Sequence, residues 1–195
     1  MAGLGFSIFD TAIGQCGIAW GSAGIVGVQL PEAREIDTRR RLFQLYPHGH
    51  EMRPPPEVAH AIDGIVALLH GDAADLTDVT LDMNGFHVFY QRVYGFIRTI
   101  PRGETRTCGE VAAKLRLTSA VVHSIAQAVA QNPFVIIVPC HRVREAGGYA
   151  DKMSPHGGVI SKRRLLSIEG AAADTTRSKT LFDALLPVAP PRPHN

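Results

Sequence analysis

Cys140 and His141 are adjacent, and both follow a run of apolar residues, Phe134-Val135-Ile136-Ile137-Val138, that ends in Pro139. A cysteine acts as a nucleophile when a base, a cation or local dipoles lower the cost of its thiolate. His141 has the chemistry of that base. Side chains of consecutive residues usually diverge, so a water between the two is part of this reading. Glu169, 28 residues on, is a candidate third member that would hold the imidazole in one tautomer. A small core cysteine beside a histidine gives the same local pattern, so the pair alone leaves both readings open. Cys16 lies in a strand-turn segment with no base nearby and reads as structural. Cys108 falls in the first turn of an expected helix, where the dipole favours a thiolate, but it has no evident base and also reads as structural. His48 and His50 have no partner at metal-ligand spacing, so no metal site is expected.

The elements that must position these residues divide the chain in two. Phe6 and Ile8, then Ile18 and Trp20, alternate with small or polar residues, and glycines separate them into strands. Gly24–Leu30 reads as another strand. Residues 31–56 are polar, rich in arginine and end in three prolines, which predicts a loop. Val58, Ile62, Ile65, Val66 and Leu69 recur at helical spacing, with Pro56 at the start and Gly71 as the stop. Leu76–Met83 reads as a further short strand. Residues 1–83 therefore form a small α/β unit.

The second half reads as mostly helical. Phe89, Val93, Phe96 and Ile97 mark one helix. Thr107-Cys108-Gly109-Glu110 is a capping box opening a second. A break at Arg116–Thr118 leads to Ser119 as the cap of a third, with Val122, Ile125, Ala126 and Val129 on its apolar face, closed by Asn132-Pro133. Two short helices about a tight break fit a helix-turn-helix, and also an ordinary helical hairpin. A Gly-rich loop and a helix around Ser161–Ile168 follow. Residues 173–195 read as a disordered tail. The fold class expected is α+β, with a winged-helix-like second domain over 84–172.

Charge follows the same division. Residues 1–83 hold 5 Lys/Arg against 11 Asp/Glu, whereas residues 84–172 hold 12 against 5. A basic segment beside an acidic one points to a polyanion partner, although ordinary solvated charge gives the same count. No apolar run approaches the ~18 residues of a membrane span. The start of the chain lacks the basic region of a secretory signal. Three scattered cysteines do not make a disulfide framework. A cytoplasmic protein with reduced thiols is expected.

One ordered series of motifs goes further. It runs Ile100-Pro101-Arg102-Gly103-Glu104-Thr105, Gly109-Glu110-Val111-Ala112, Asn132-Pro133, Pro139-Cys140-His141-Arg142-Val143, Gly148-Tyr149, Gly157-Gly158, Lys162-Arg163, Leu165-Leu166 and Glu169-Gly170. The series resembles the O6-alkylguanine-DNA alkyltransferases. Phe9–Gly14 and Gly24–Val28 extend the resemblance weakly into the first half. The resemblance implies DNA repair by a single, suicidal transfer: a flipped O6-alkylguanine delivers its alkyl group to Cys140, with His141 and Glu169 taking the thiol proton. It implies no cofactor, double-stranded DNA carrying O6-alkylguanine as partner, and a monomer. Asn132 would pin the turn before the active-site strand. Arg142, Val143 and Tyr149 would lie at the substrate. His123, Cys108, Ser124 and Ala126 would lie at the DNA, with the helix-turn-helix in the minor groove.

Three departures stand out. The family carries an arginine that enters the base stack where this chain has His123, and a tyrosine where it has Cys108. Asp151–His156 reads as an insertion. These changes keep a second expectation in view, a non-catalytic protein that binds and flags lesions, although such relatives replace the cysteine. A third, a winged-helix regulator, is disfavoured by the intact Cys-His-Glu set.

Overall fold

The computed structural model describes residues 3–144, 156–158, 160 and 162–170. Its first half is a four-stranded sheet of order β3-β2-β1-β4, formed by β1 (Gly5–Thr11), β2 (Gly14–Gly21), β3 (Gly24–Gln29) and β4 (His50–Glu51). β1 and β2 pair antiparallel from Gly5↔Trp20 to Thr11↔Gly14, and β2 pairs antiparallel with β3. Period-two alternation sorts β2 between two faces. Cys16, Ile18 and Trp20 face the main core, while Ala19 joins Phe6 and Leu42 in a small separate cluster.

Leu42 belongs to α1 (Glu35–Leu45), which together with β4 corrects the expected loop over 31–56. The helix escapes a periodicity reading because it buries only Thr38 and Leu42, while Ile36 and Phe43 stay about half exposed. α2 (Pro56–His70) forms as expected, burying Val58, Ala61, Ile65, Leu68 and Leu69 and ending at Gly71 with φ +98°. The strand expected over Leu76–Met83 is absent. Asp75 accepts the Thr77 N–H at 2.8 Å and Asp82 the Asn84 N–H at 3.0 Å, and such side-chain turns displace a ladder. A single parallel bridge, Ile25↔Leu81, remains.

The second half follows its predicted helices: α3 (Val88–Arg98), α4 (Cys108–Lys114), α5 (Val122–Ala130) and α6 (Lys162–Ile168). The capping box on α4 is complete: Glu110 N–H donates to Thr107 Oγ1 at 3.1 Å, and Thr107 N–H to Glu110 Oε2 at 2.6 Å. Ser119 is not a cap. It opens a 3-10 turn, Ser119–Val121, between α4 and α5, with Thr118 in the capping position. Two further short strands, β5 (Arg106–Thr107) and β6 (Val143–Arg144), pair in parallel and tie the start of α4 to the segment after Cys140. One buried cluster runs from Ile18 and Leu30 through Ile65 and Tyr94 to Cys140 and Leu165.

The capping box gives a direct stability test. Thr107→Ala takes the side-chain acceptor from the Glu110 amide and should cost about 1 kcal/mol in denaturant unfolding. A midpoint equal to wild type would show that β5 pairing alone holds the helix start.

Candidate active site

The approach to Cys140 is a closed loop rather than a strand. Asn132, fully buried, donates from Nδ2 to the Val138 carbonyl at 2.9 Å, and its Oδ1 accepts the Phe134 N–H at 2.9 Å. One side chain thus closes both ends of residues 133–138. Phe134 makes a lone bridge to Val28, and the Pro133 carbonyl accepts the Val28 N–H at 2.8 Å. Within the loop the Val138 N–H reaches back to the Phe134 carbonyl at 2.7 Å, and Ile136 adopts φ +73°. The left-handed region costs a β-branched residue about 1–2 kcal/mol, so the surrounding bonds and burial must hold it there. The expected active-site strand is therefore corrected to a strained, buried turn.

Cys140 opens a second 3-10 turn, Cys140–Arg142, and is completely buried. Burial pushes its thiol up. The charge of Lys162, the Asn132 side chain, and the backbone around Cys140 and His141 oppose that rise without cancelling it. The resting group is a thiol that needs a proton acceptor. His141, also buried, presents Nε2 to Glu169 Oε1 at 2.7 Å. Burial lowers its affinity for a proton more than Glu169 raises it, so the imidazole is neutral. The proton on Nε2 then faces the carboxylate, and Nδ1 is left as the basic nitrogen. Nδ1 is buried, and among the described residues it has no hydrogen-bond partner.

Glu169 stays charged. Burial pushes it up, but hydrogen bonds from His141 and Arg142 outweigh this and hold it at about 2. Arg142 donates from Nε to both carboxylate oxygens at 3.1 and 3.0 Å, from Nη2 to Oε1 at 2.7 Å, and from Nη1 to the Ile100 carbonyl at 2.6 Å. Arg142 is therefore a buried clamp on Glu169, which corrects its expected place at the substrate. Ile136, Leu68, Leu69, Leu165 and Ile168 enclose a cavity of about 10 Å³ beside His141 and Glu169.

Two further residues belong to this site. Lys162 is buried at the start of α6, the helix that packs against the Cys140–Arg142 turn, and its charge bears on the thiol. Its spacing was the available signal: Lys162, Leu165, Leu166 and Glu169 fall on one helical stripe, so the two charged residues share the apolar face. Tyr94, buried on α3, donates to the Ala128 carbonyl at 2.9 Å and packs edge-on against Phe134. It fixes α3 against α5.

Of the other expected residues, Val143 is buried and follows the turn directly. His123 is exposed on α5, with Ser124 and Ala126 half-buried on the same helix. Cys108 is buried at the first position of α4, which corrects its expected place on the DNA face. Cys16 is buried and pushed up to about 12 by burial, inert at neutral pH. Tyr149 and residues 151–155 and 173–195 lie outside the described residues. Among the described residues no cluster of three metal-ligating side chains occurs, and no helix is long and apolar enough to cross a membrane.

Comparison with known proteins agrees with this geometry. Residues 88–171 match the family model of the 6-O-methylguanine DNA methyltransferase DNA-binding domain. A methylated-DNA–protein-cysteine methyltransferase of Methanothermobacter thermautotrophicus is 32% identical over 162 residues, covering 81% of each chain. The Mycobacterium tuberculosis protein of the same name is 38% identical over 147 residues, 74% of this chain and 84% of that one. The M. tuberculosis OGT solved in complex with DNA superposes with a TM-score of 0.62 at 29% identity, covering 85% of this chain and 92% of that one. A relative above 30% identity over four-fifths of both chains settles descent: the chain belongs to the methylated-DNA–protein-cysteine methyltransferase family.

Proposed function

We propose that this chain repairs DNA by moving the alkyl group of O6-alkylguanine onto Cys140. The observation that carries the reading is the buried series Cys140, His141, Glu169 and Arg142, reached through the loop that Asn132 closes. The target base leaves the duplex to reach a buried thiol. Cys140 gives its proton to His141 through Nδ1, by way of a water. The sulfur then attacks the O6-alkyl carbon, so that an S–C bond forms as the O–C bond breaks. The guanine leaves with the electron pair and takes up the equivalent of that proton. Glu169 holds the imidazole and offsets its transient positive charge. The thioether is stable, so each molecule reacts once, as a monomer and with no cofactor.

Residues 84–172 carry this chemistry and the DNA contacts. α5 presents His123 at the surface, and Ser124 and Ala126 keep its face small enough for close approach. Lys114 and Arg116, exposed at the turn between α4 and α5, supply phosphate contacts. Substrate is a DNA lesion, so the protein acts in the cytoplasm, where its three buried cysteines stay reduced.

Cys140→Ala should abolish transfer from a labelled O6-methylguanine duplex while DNA binding remains, and Glu169→Gln should slow transfer at least tenfold without abolishing it. Label on another cysteine would overturn the assignment of the acceptor, and an unchanged rate in a folded Glu169→Gln protein would remove Glu169 from the mechanism.

DNA affinity should fall steeply with salt and vary little with sequence, since binding through phosphates releases counterions. Salt-insensitive binding in a titration between low and physiological ionic strength would contradict the basic-face reading.

Arginine reaches further than histidine and stacks with a cationic head. His123→Arg should therefore speed transfer from duplex O6-methylguanine several-fold and leave the rate on free O6-benzylguanine unchanged, because only the duplex requires flipping. Equal rates for both proteins on the duplex would show that His123 or a neighbour already suffices.

A further inference from the structure

The segment that leads into α6 rests on the N-terminal sheet. The His156 carbonyl accepts the Leu30 N–H at 3.0 Å. Gly158, at φ +57°, lies so close that a Cβ there would stand 2.6 Å from the Leu30 carbonyl oxygen and nearer still to that of Pro31. Leu30 is fully buried, and its own carbonyl is held by Gln29 Nε2 at 2.8 Å, which anchors the end of β3. From the end of α1, Tyr46 brings its ring to 6.5 Å from that of His156, tilted by 36°. Its hydroxyl is wedged against Gly27 on β3, where any side chain would collide with it. Burial and the charge of Arg41 hold His156 at about 4, so a neutral imidazole meets the phenol ring.

Two steps beyond Gly158 the chain is buried again at Ile160, and two further on at Lys162. We propose that the end of β3 and Tyr46 act as a positioning element for alkyl transfer, seating residues 156–158 so that the start of α6 delivers Lys162 to Cys140. The inference rests on Cys140 being the acceptor. The acidic N-terminal unit thereby contributes to the reaction without touching substrate. Leu30, Tyr46 and Gly158 are positioning residues, acting through Lys162. Groups bearing on the Cys140 thiol are the Lys162 cation from α6, Tyr94 from α3, Asn132, and the His141 backbone. Of these, Lys162 carries the positive charge that favours thiolate. Displacing it therefore moves the thiol to higher pH.

The test uses the full chain and two readouts: iodoacetamide alkylation of Cys140 against pH, mapped by peptide mass, and single-turnover transfer from an O6-methylguanine duplex. Gly158→Val forces the segment off β3, and His156→Ala removes only the packed ring. Gly158→Val should move the alkylation profile about one pH unit upward, a tenfold loss of thiolate at fixed pH. Transfer should slow about tenfold while DNA affinity stays within twofold. His156→Ala and Tyr46→Ala should move both readouts in the same direction, and Tyr46→Phe, which keeps the ring, should match wild type. Lys162→Met should shift the profile as far as Gly158→Val, and the double variant no further than either. Wild-type profiles in folded Gly158→Val and His156→Ala proteins would overturn the proposal, as would additive effects in the double variant. If wild type alkylates at Cys140 yet accepts no methyl group from DNA, the functional reading fails. The positioning claim then stands or falls on the thiol profiles alone.

Discussion

A single buried carboxylate organises the catalytic end of this protein. Glu169 accepts hydrogen bonds from His141 and Arg142, and Arg142 reaches on to the Ile100 carbonyl. Arg102 binds the Ile168 carbonyl at 3.0 Å, one residue before Glu169. Three segments distant in sequence, the Cys140–Arg142 turn, the stretch after α3 and the end of α6, are thus joined at one point. Burying a charge is tolerated only when it is paired and hydrogen-bonded, and here the pairing is what fixes the geometry. Removing Arg142 would leave Glu169 charged with only a neutral imidazole beside it. Removing Glu169 would leave the guanidinium buried and free the imidazole to turn.

The same constraint explains the state of the thiol. Complete burial raises Cys140, and Lys162 only moderates this. A permanently ionised cysteine would be open to oxidants and stray electrophiles. A thiol that ionises only when His141 takes its proton keeps the single-use residue intact until a base is in place. Ile136, strained at φ +73°, lines the cavity behind this pair. The Asn132 bonds hold the turn that leads into Cys140.

Much of this was legible in the sequence, for reasons that differ by element. Cys140, His141, Asn132 and Glu169 stand in an ordered series of motifs, and the capping box at Thr107 and the apolar stripe of α2 each carry a local physical signal. α1 carries none, because its two buried positions are submerged among arginines and acids. Residues 76–83 have strand-like composition, yet their aspartates close turns instead. The run 134–138 is as apolar as a buried strand, but Asn132 folds it into a loop through bonds that no periodicity reveals. Arg142 misled for the opposite reason. The resemblance places it at the substrate, whereas its partner, Glu169, lies 27 residues away and turns it inward.

The account makes one demand that pH can test. With a raised thiol and a lowered, neutral imidazole, proton transfer inside the site conserves charge. The rate is then independent of pH between the two groups. Single-turnover transfer from an O6-methylguanine duplex, at fixed ionic strength and saturating protein, should stay level from pH 8 to below the ordinary histidine value of about 6.5. It should fall only in more acid solution, as His141 gains a proton from solvent. A rate that climbs tenfold per pH unit from 6 to 8 would mean that solvent, rather than His141, removes the thiol proton, and would contradict the mechanism at its centre.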